Sequence, residues 1–200
     1  MVPCLSAGEI WIEKRDRYYY YCVRLNRRYP HFWEIVNDLK LHSKELYRRY
    51  DPETGINYIP VFEYSYDFIR KLRTTEPFEI RYTREEEKRA LEFNKPKVVE
   101  IEQPYYIYMD IPLWEGEFRG ILKESFPRMC KFLPDRKLWI VGVYNLEIAK
   151  KLLDIFRKYS SELGYETARR AVEELEISVR IRVEEVKSCF TALLLSLIHI

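Results

Sequence analysis

The order of structural signals in the first half of the chain recurs in the second half. Residues 1–73 read as an aromatic strand over 17–28, a helix after Pro30, a hairpin and a second helix. Residues 102–160 repeat this order, with Tyr106 matching Tyr20 and Trp139 matching Tyr58. A repeat of this length must bury an apolar face in each copy, so we predict two related units.

Hydrophobic spacing supports the same order in both halves. Ile35 and Leu39 fall on one face of a helix, and Phe118 and Leu122 do the same in the second half. The first hairpin is predicted to turn at 51–55, because Asp51, Pro52 and Gly55 are residue types typical of a turn. Asn145 is placed to cap the last helix of the second half.

The remaining segments complete a predicted α+β fold. Residues 74–101 form a connector with a short strand and a helix whose capping box is Thr83 with Glu86. Gly164 is expected to break the long helix before it, and residues 161–187 are expected to hold a C-terminal helix and a strand over 177–183, where apolar and polar residues alternate. Residues 188–200 are expected to be a vector-derived or docking tail. The predicted class is α+β, with two related strand-helix-hairpin-helix halves plus the C-terminal helix and strand.

Composition excludes several classes of protein and hints at the source. With 47% hydrophobic and 33% charged residues, the chain is neither disordered, nor collagen, nor a disulfide scaffold. The net charge is only +2, so any binding of nucleic acid must come from a local patch. The chain shows no signal peptide, and its apolar end is too short to span a bilayer, so we expect an intracellular protein with no membrane partner. Glutamine occurs once and asparagine five times, which favours a thermophile or its virus.

No strong catalytic signature is present, and we expect no cofactor. The chain lacks a phosphate-binding loop, a zinc-protease motif and a nucleophile motif, so it is not an ATPase by itself. The four cysteines, at 4, 22, 130 and 189, form no CxxC pair and are expected to be buried thiols, with an internal disulfide as the alternative. Asp135, Glu185 and Lys187 have the letters of a metal nuclease core, which leaves a metal-dependent nuclease as a third hypothesis.

Basic residues interleaved with aromatic ones are the most suggestive functional pattern. Guanidinium and ammonium groups neutralise phosphates, and exposed rings stack on unpaired bases. Tyr18 and Tyr20 are expected to be further stacking rings. The alternatives are that the rings form the core beneath a thermophilic charged surface, or that the chain is a protein-interaction or viral structural protein. The candidate nucleic-acid-binding residues are Arg24, Arg27, Arg28, Arg48, Arg49, Tyr58, Arg128, Lys131, Arg136, Lys137 and Trp139.

The first hairpin resembles a known repeat. The segment 48–60, RRYDPETGINYIP, followed by FIRKL at 68–72, is similar to HARP-type repeats, and 132–140 with 149–153 is a looser second copy without the tyrosine of the turn. Such repeats occur beside the motors of annealing helicases and resemble the DNA-damage-recognition domains of archaeal repair helicases. The resemblance implies a non-catalytic module that binds single-stranded or forked DNA, accessory to a repair or replication machine, with a helicase or another protein as its partner.

Overall fold

Two sheets, each built from residues of one part of the chain, organise the protein. The computed structural model describes residues 5–102 and 106–198. Its contacts divide the chain into a first unit, Met1–Lys95, and a second unit, Pro96–Ile200.

The first unit is a five-stranded sheet with three helices. The sheet has the order β3-β4-β2-β1-β5, in which β5 lies parallel to β1 and every other neighbouring pair is antiparallel. Its elements in chain order are β1 Gly8–Arg15, β2 Tyr18–Leu25, α1 Phe32–Leu41, β3 Arg49–Asp51, β4 Ile56–Pro60, α2 Glu63–Thr75, β5 Phe78–Ile80 and α3 Arg84–Phe93.

The second unit is a four-stranded antiparallel sheet, also with three helices. The order of its strands is β6-β7-β9-β8. Its elements in chain order are β6 Lys97–Glu102, β7 Tyr106–Asp110, α4 Gly116–Ser125, β8 Cys130–Leu133, β9 Leu138–Gly142, α5 Leu146–Tyr159 and α6 Glu162–Ile198.

The predicted α+β class is confirmed, and the predicted repeat is visible in the connectivity. The order β6-β7-β9-β8 reproduces β1-β2-β4-β3, with a helix after the second strand and another after the fourth in both units. Tyr21 lies opposite Ile59 in one ladder, and Ile107 lies opposite Val141 in the other. The first strand of each unit extends the repeat beyond the prediction, since β1 was not expected.

Each unit buries one face of its sheet against its helices. In the first unit Tyr21 and Ile59 are packed with Ile35 of α1 and Ile69 of α2. In the second unit the equivalent strands pack with α4, α5 and the first turns of α6. The spacing of these residues is what the sequence predicts for amphipathic helices.

The C-terminal segment corrects the prediction. Residues 177–183 were predicted as a strand, but they continue helix α6. Extending an existing helix adds one hydrogen bond per residue, whereas a strand needs a free sheet edge to pair with. Gly164 does not break the helix either, because α6 begins before it, and a β-carbon at this position would lie 2.2 Å from the Pro96 carbonyl oxygen. The glycine therefore permits a close approach of backbone to backbone.

The structure also bears on the predicted helix cap, the cysteines and the apolar helices. Helix α3 has the predicted capping box of Thr83 and Glu86. Cys22 and Cys130 are free thiols, while Cys4 and the Cys189 side chain lie outside what the structure describes. None of the helices that the structure describes combines the length and apolarity needed to cross a bilayer.

Candidate nucleic-acid interface

A groove of about 820 Å³ opens in the first unit. Its walls are the end of strand β2, helix α1 and the hairpin formed by β3 and β4. We call it the hairpin groove. The side chains that give it its chemistry are the cations Arg24, Arg27, Lys40 and Arg48 and the rings of Trp33 and Tyr50.

The hairpin groove has an excess of positive charge that the described residues neutralise only in part. Among its described lining residues only Glu53 is acidic. Arg24 forms an ion pair with Glu9 at 2.7 Å. No ion pair within residues 5–102 or 106–198 engages Arg27, Lys40 or Arg48. A phosphate that enters the groove can therefore bind these cations without first breaking an ion pair with a carboxylate.

Arg48 is held in place by neutral groups. Its Nη1 donates to the Asn57 Oδ1 at 2.6 Å, and its Nε donates to the Ser43 Oγ at 3.3 Å. Asn57 is only 4% exposed, and its Nδ2 donates to the Val23 carbonyl at 3.1 Å, which fixes the amide against strand β2. Burial lowers the pKa of Arg48. The guanidinium is thus oriented and partly desolvated, and a bound anion would offset that cost.

Two aromatic rings stand at the groove with much of their surface in solvent. Trp33, the second residue of α1, is 69% exposed, and Tyr50 on β3 is 50% exposed. The buried stripe of α1 passes through Ile35 and Leu39, so Trp33 lies off the core face. Large exposed rings beside cations are the arrangement that stacks on unpaired bases.

The equivalent place in the second unit has different chemistry. In the first unit Tyr21 and Val23 of β2 lie opposite Ile59 and Asn57 of β4. In the second unit the equivalent residues of β7, Ile107 and Met109, lie opposite Val141 and Trp139 of β9. The equivalent of the polar Asn57 is therefore the indole of Trp139. Arg49 lies opposite Tyr58, and Lys131 lies opposite the equivalent residue Ile140, so these two cations occupy equivalent positions. The residue before them is Arg48 in the first unit and Cys130 in the second, so a thiol stands where the first unit has its positioned arginine.

The register also corrects the predicted match between Tyr58 and Trp139. Tyr58 is equivalent to Ile140, one residue further along β9. A shift of one residue moves a strand side chain to the opposite face of the sheet. Trp139 is consequently a core residue, 7% exposed, with its ring centroid 5.5 Å from that of Phe132. Its predicted role as an exposed stacking ring is wrong.

The predicted residues of the first unit fall into two groups. Arg24, Arg27 and Arg48 line the hairpin groove together, whereas Arg28 is exposed but does not line it. Arg49 lies opposite Tyr58 in the ladder, on the other face of the sheet from Tyr50. The guanidinium of Arg15 covers the Tyr58 ring at 3.9 Å from its centroid. Tyr18 and Tyr20, the two further rings, are half-buried on β2.

The predicted cations of the second unit all lie at or beside the hairpin of β8 and β9. Lys131 is exposed on β8, and Arg136 is paired with Glu100 and lies 4.3 Å from the Tyr108 ring centroid. Arg128 and Lys137 are exposed, with φ of 69° and 53°, a region that costs energy for residues other than glycine. Lys137 occupies the place in its turn that Gly55, at φ 70°, has in the first hairpin.

Four residues to which we assign the chemistry of the hairpin groove were not among the predicted site residues. Trp33 carried a usable signal, since it is a large aromatic residue outside the apolar stripe of a predicted helix. Tyr50 follows the predicted Arg49 directly. Lys40 and Asn57 carried no signal, because nothing local indicates that a lysine will face a groove or that an asparagine will be buried.

The nuclease hypothesis gains no metal site from the structure. Across the described residues no group of three or more His, Cys, Asp and Glu side chains could hold a metal ion. Asp135 is exposed in the turn after β8, and Glu185 is exposed on helix α6.

Comparison with known proteins finds no relative for this chain. No protein-family model, no curated protein and no solved structure matches it. The resemblance to HARP-type repeats therefore stays a prediction.

Proposed function

We propose that this chain is a non-catalytic nucleic-acid-binding module that holds a single strand, with DNA favoured, in the hairpin groove. The observation that supports this most is that three cations without an ion pair among the described residues meet exposed rings in one recess of the first unit. By the same proposal it is an accessory of a repair or replication machine, with a helicase or another protein beside it.

The cations supply affinity for the backbone. Arg27, Lys40 and Arg48 are not engaged by carboxylates in the described part of the chain, so each can neutralise a phosphate. Arg48 presents a planar fork whose orientation is already set by Asn57, and little further ordering is needed when it binds.

The rings favour an unpaired strand over a duplex. Trp33 and Tyr50 offer exposed faces, and the faces of bases are free to stack on them only where the strand is unpaired. Stacking contributes about 1–3 kcal/mol per base and tolerates any sequence. The module should therefore bind single strands with little preference for sequence.

Tryptophan fluorescence tests the proposal directly. Adding a single-stranded oligonucleotide to the full chain at low salt should quench the emission of Trp33 as a base stacks on it. In Trp33→Phe most of the quench should disappear while binding measured by anisotropy is weakened but present. Trp139→Phe is the matched control, because it removes a buried tryptophan of the second unit and should leave the quench in place.

Two results would refute the proposal. One is the absence of any binding of single strands at micromolar protein. The other is binding that persists unchanged when Arg48 and Trp33 are both replaced by alanine, since the strand would then lie elsewhere.

A second candidate function is a protein interface on helix α1. Leu41 is 73% exposed, and it lies two turns after the exposed Trp33 on the same helix. Aromatic and arginine side chains are also the usual anchors of protein interfaces. Light scattering that shows a stable oligomer, abolished by Leu41→Ser and not by added oligonucleotide, would favour this function over the first.

A further inference from the structure

A second recess in the first unit is also rich in cations. It has a volume of about 830 Å³ and lies beside helices α2 and α3. It shares no lining residue with the hairpin groove. Its charged and aromatic lining includes Arg70, Arg73, Arg84, Lys88, Tyr66 and Tyr82.

Arg73 is positioned in this recess by buried partners. Its Nη1 donates to the Tyr82 hydroxyl at 2.9 Å and lies 3.4 Å from both carboxylate oxygens of Glu87. Glu87 is 3% exposed and also accepts from the Tyr21 hydroxyl at 2.8 Å. The Nε and Nη2 of Arg73 have no hydrogen-bond partner in the described part of the chain. One edge of the guanidinium fork is therefore anchored, and the other edge is available.

Arg84 and Lys88 are placed against the local preferences of helix α3. They lie one turn apart on the helix, where like charges repel. Arg84 is also the first residue of α3, where the helix dipole disfavours a cation. Both side chains are exposed, and neither forms an ion pair with any residue that the structure describes. An anion between them would offset both unfavourable interactions.

We infer that this second recess binds a phosphate group through Arg73, Arg84 and Lys88. Phosphate suits the site because it has several acceptor oxygens, which can take bonds from donors on two helices at once, and because arginine forks match its geometry. The only carboxylate lining the described recess, that of Glu87, is occupied by Arg73 and two tyrosines. The group belongs either to a free phosphorylated ligand or to the backbone of a bound strand.

The test uses amide chemical shifts of the full ¹⁵N-labelled chain. Titration with inorganic pyrophosphate should shift the amides of Thr74, Ile80 and Leu91, which line the recess, in a saturable way. Arg84→Gln with Lys88→Gln should weaken this binding by about tenfold or more, since two charge-assisted hydrogen bonds are lost. Lys150→Gln with Arg180→Gln removes the same charge from exposed positions of the second unit and should change nothing.

A second arm identifies the source of the phosphate. An oligonucleotide without a terminal phosphate that shifts the same amides shows that the backbone of a strand binds there, whereas a response to pyrophosphate alone shows a free phosphorylated ligand. Absence of saturable shifts at these amides with either probe, or equal affinity in the Arg84 and Lys88 variant, overturns the inference. Failure of the hairpin groove to bind a strand leaves the pyrophosphate result standing, so the two proposals fail separately.

Discussion

Removal of Arg27 and Lys40 should flatten the salt dependence of single-strand binding. Three cations of the hairpin groove, these two and Arg48, have no ion pair in the described structure, and Arg24 is shared with Glu9. Each phosphate neutralised on a single strand contributes about 0.7 to the slope of log affinity against log salt, so three contacts predict a slope of about −2. With two of the three removed, the slope should be about −0.7.

The difference is large enough to measure by anisotropy of a labelled oligonucleotide. Between about 50 and about 200 mM salt, the wild-type affinity should fall about twentyfold, and that of Arg27→Ala with Lys40→Ala only about threefold. The control Lys150→Ala with Arg180→Ala loses the same net charge at exposed positions elsewhere and should keep the wild-type slope. An unchanged slope in the groove variant, or equal flattening in the control, would refute the assignment of phosphate contacts to this groove.

Three further predictions concern stability and reactivity. Gly55→Ala should destabilise the protein by about 1 kcal/mol in urea unfolding, because φ is 70° there; the added methyl group meets no atom within 4 Å, so the cost comes from the backbone alone. Gly120→Ala, which lies in a helix with equally open space, should instead stabilise the protein by about 0.5–1 kcal/mol. A change of the same sign in both variants would contradict a backbone origin. Glu87→Gln should lower the free energy of unfolding by about 2 kcal/mol. This is below the usual range for a broken buried ion pair, because the partner Arg73 keeps some contact with water. The exposed control Glu85→Gln should lower it by less than about 0.5 kcal/mol. Burial raises the pKa of Cys22 to about 12, so the neutral thiol contributes stability that is full below its unfolded pKa of about 9 and is lost as the pH rises toward 12. Alkylation of this cysteine at pH 8, followed by mass spectrometry, should be slow in the native protein and fast in urea. Fast labelling of the native protein would show that the thiol is accessible and contradict the prediction.

Local features of the sequence predicted much of the secondary structure. The capping box of Thr83 and Glu86 begins α3, Asn145 caps α5, and the first turn places Gly55 in the left-handed region, as its residue types indicate. These features succeed because the interacting groups lie within a few residues of one another.

Two of the errors involve partners distant in sequence. The strand predicted over 177–183 has a sound alternating pattern, but a strand exists only where another strand accepts its hydrogen bonds. The match of Tyr58 with Trp139 missed the register by one residue, because register is set by pairing across the sheet and not along the strand. That error exchanged a partly exposed ring for a core residue.

The amino-acid pattern alone established a duplicated α+β chain with cations and rings gathered near its hairpins. Only tertiary structure decided which cations are available. Glu9 reaches Arg24 from the neighbouring strand and Glu100 reaches Arg136 from 36 residues away, while Arg48 meets a buried amide instead of an acid. The charge that a surface presents depends on its counterions, and the fold brings those counterions from positions that no local pattern reveals.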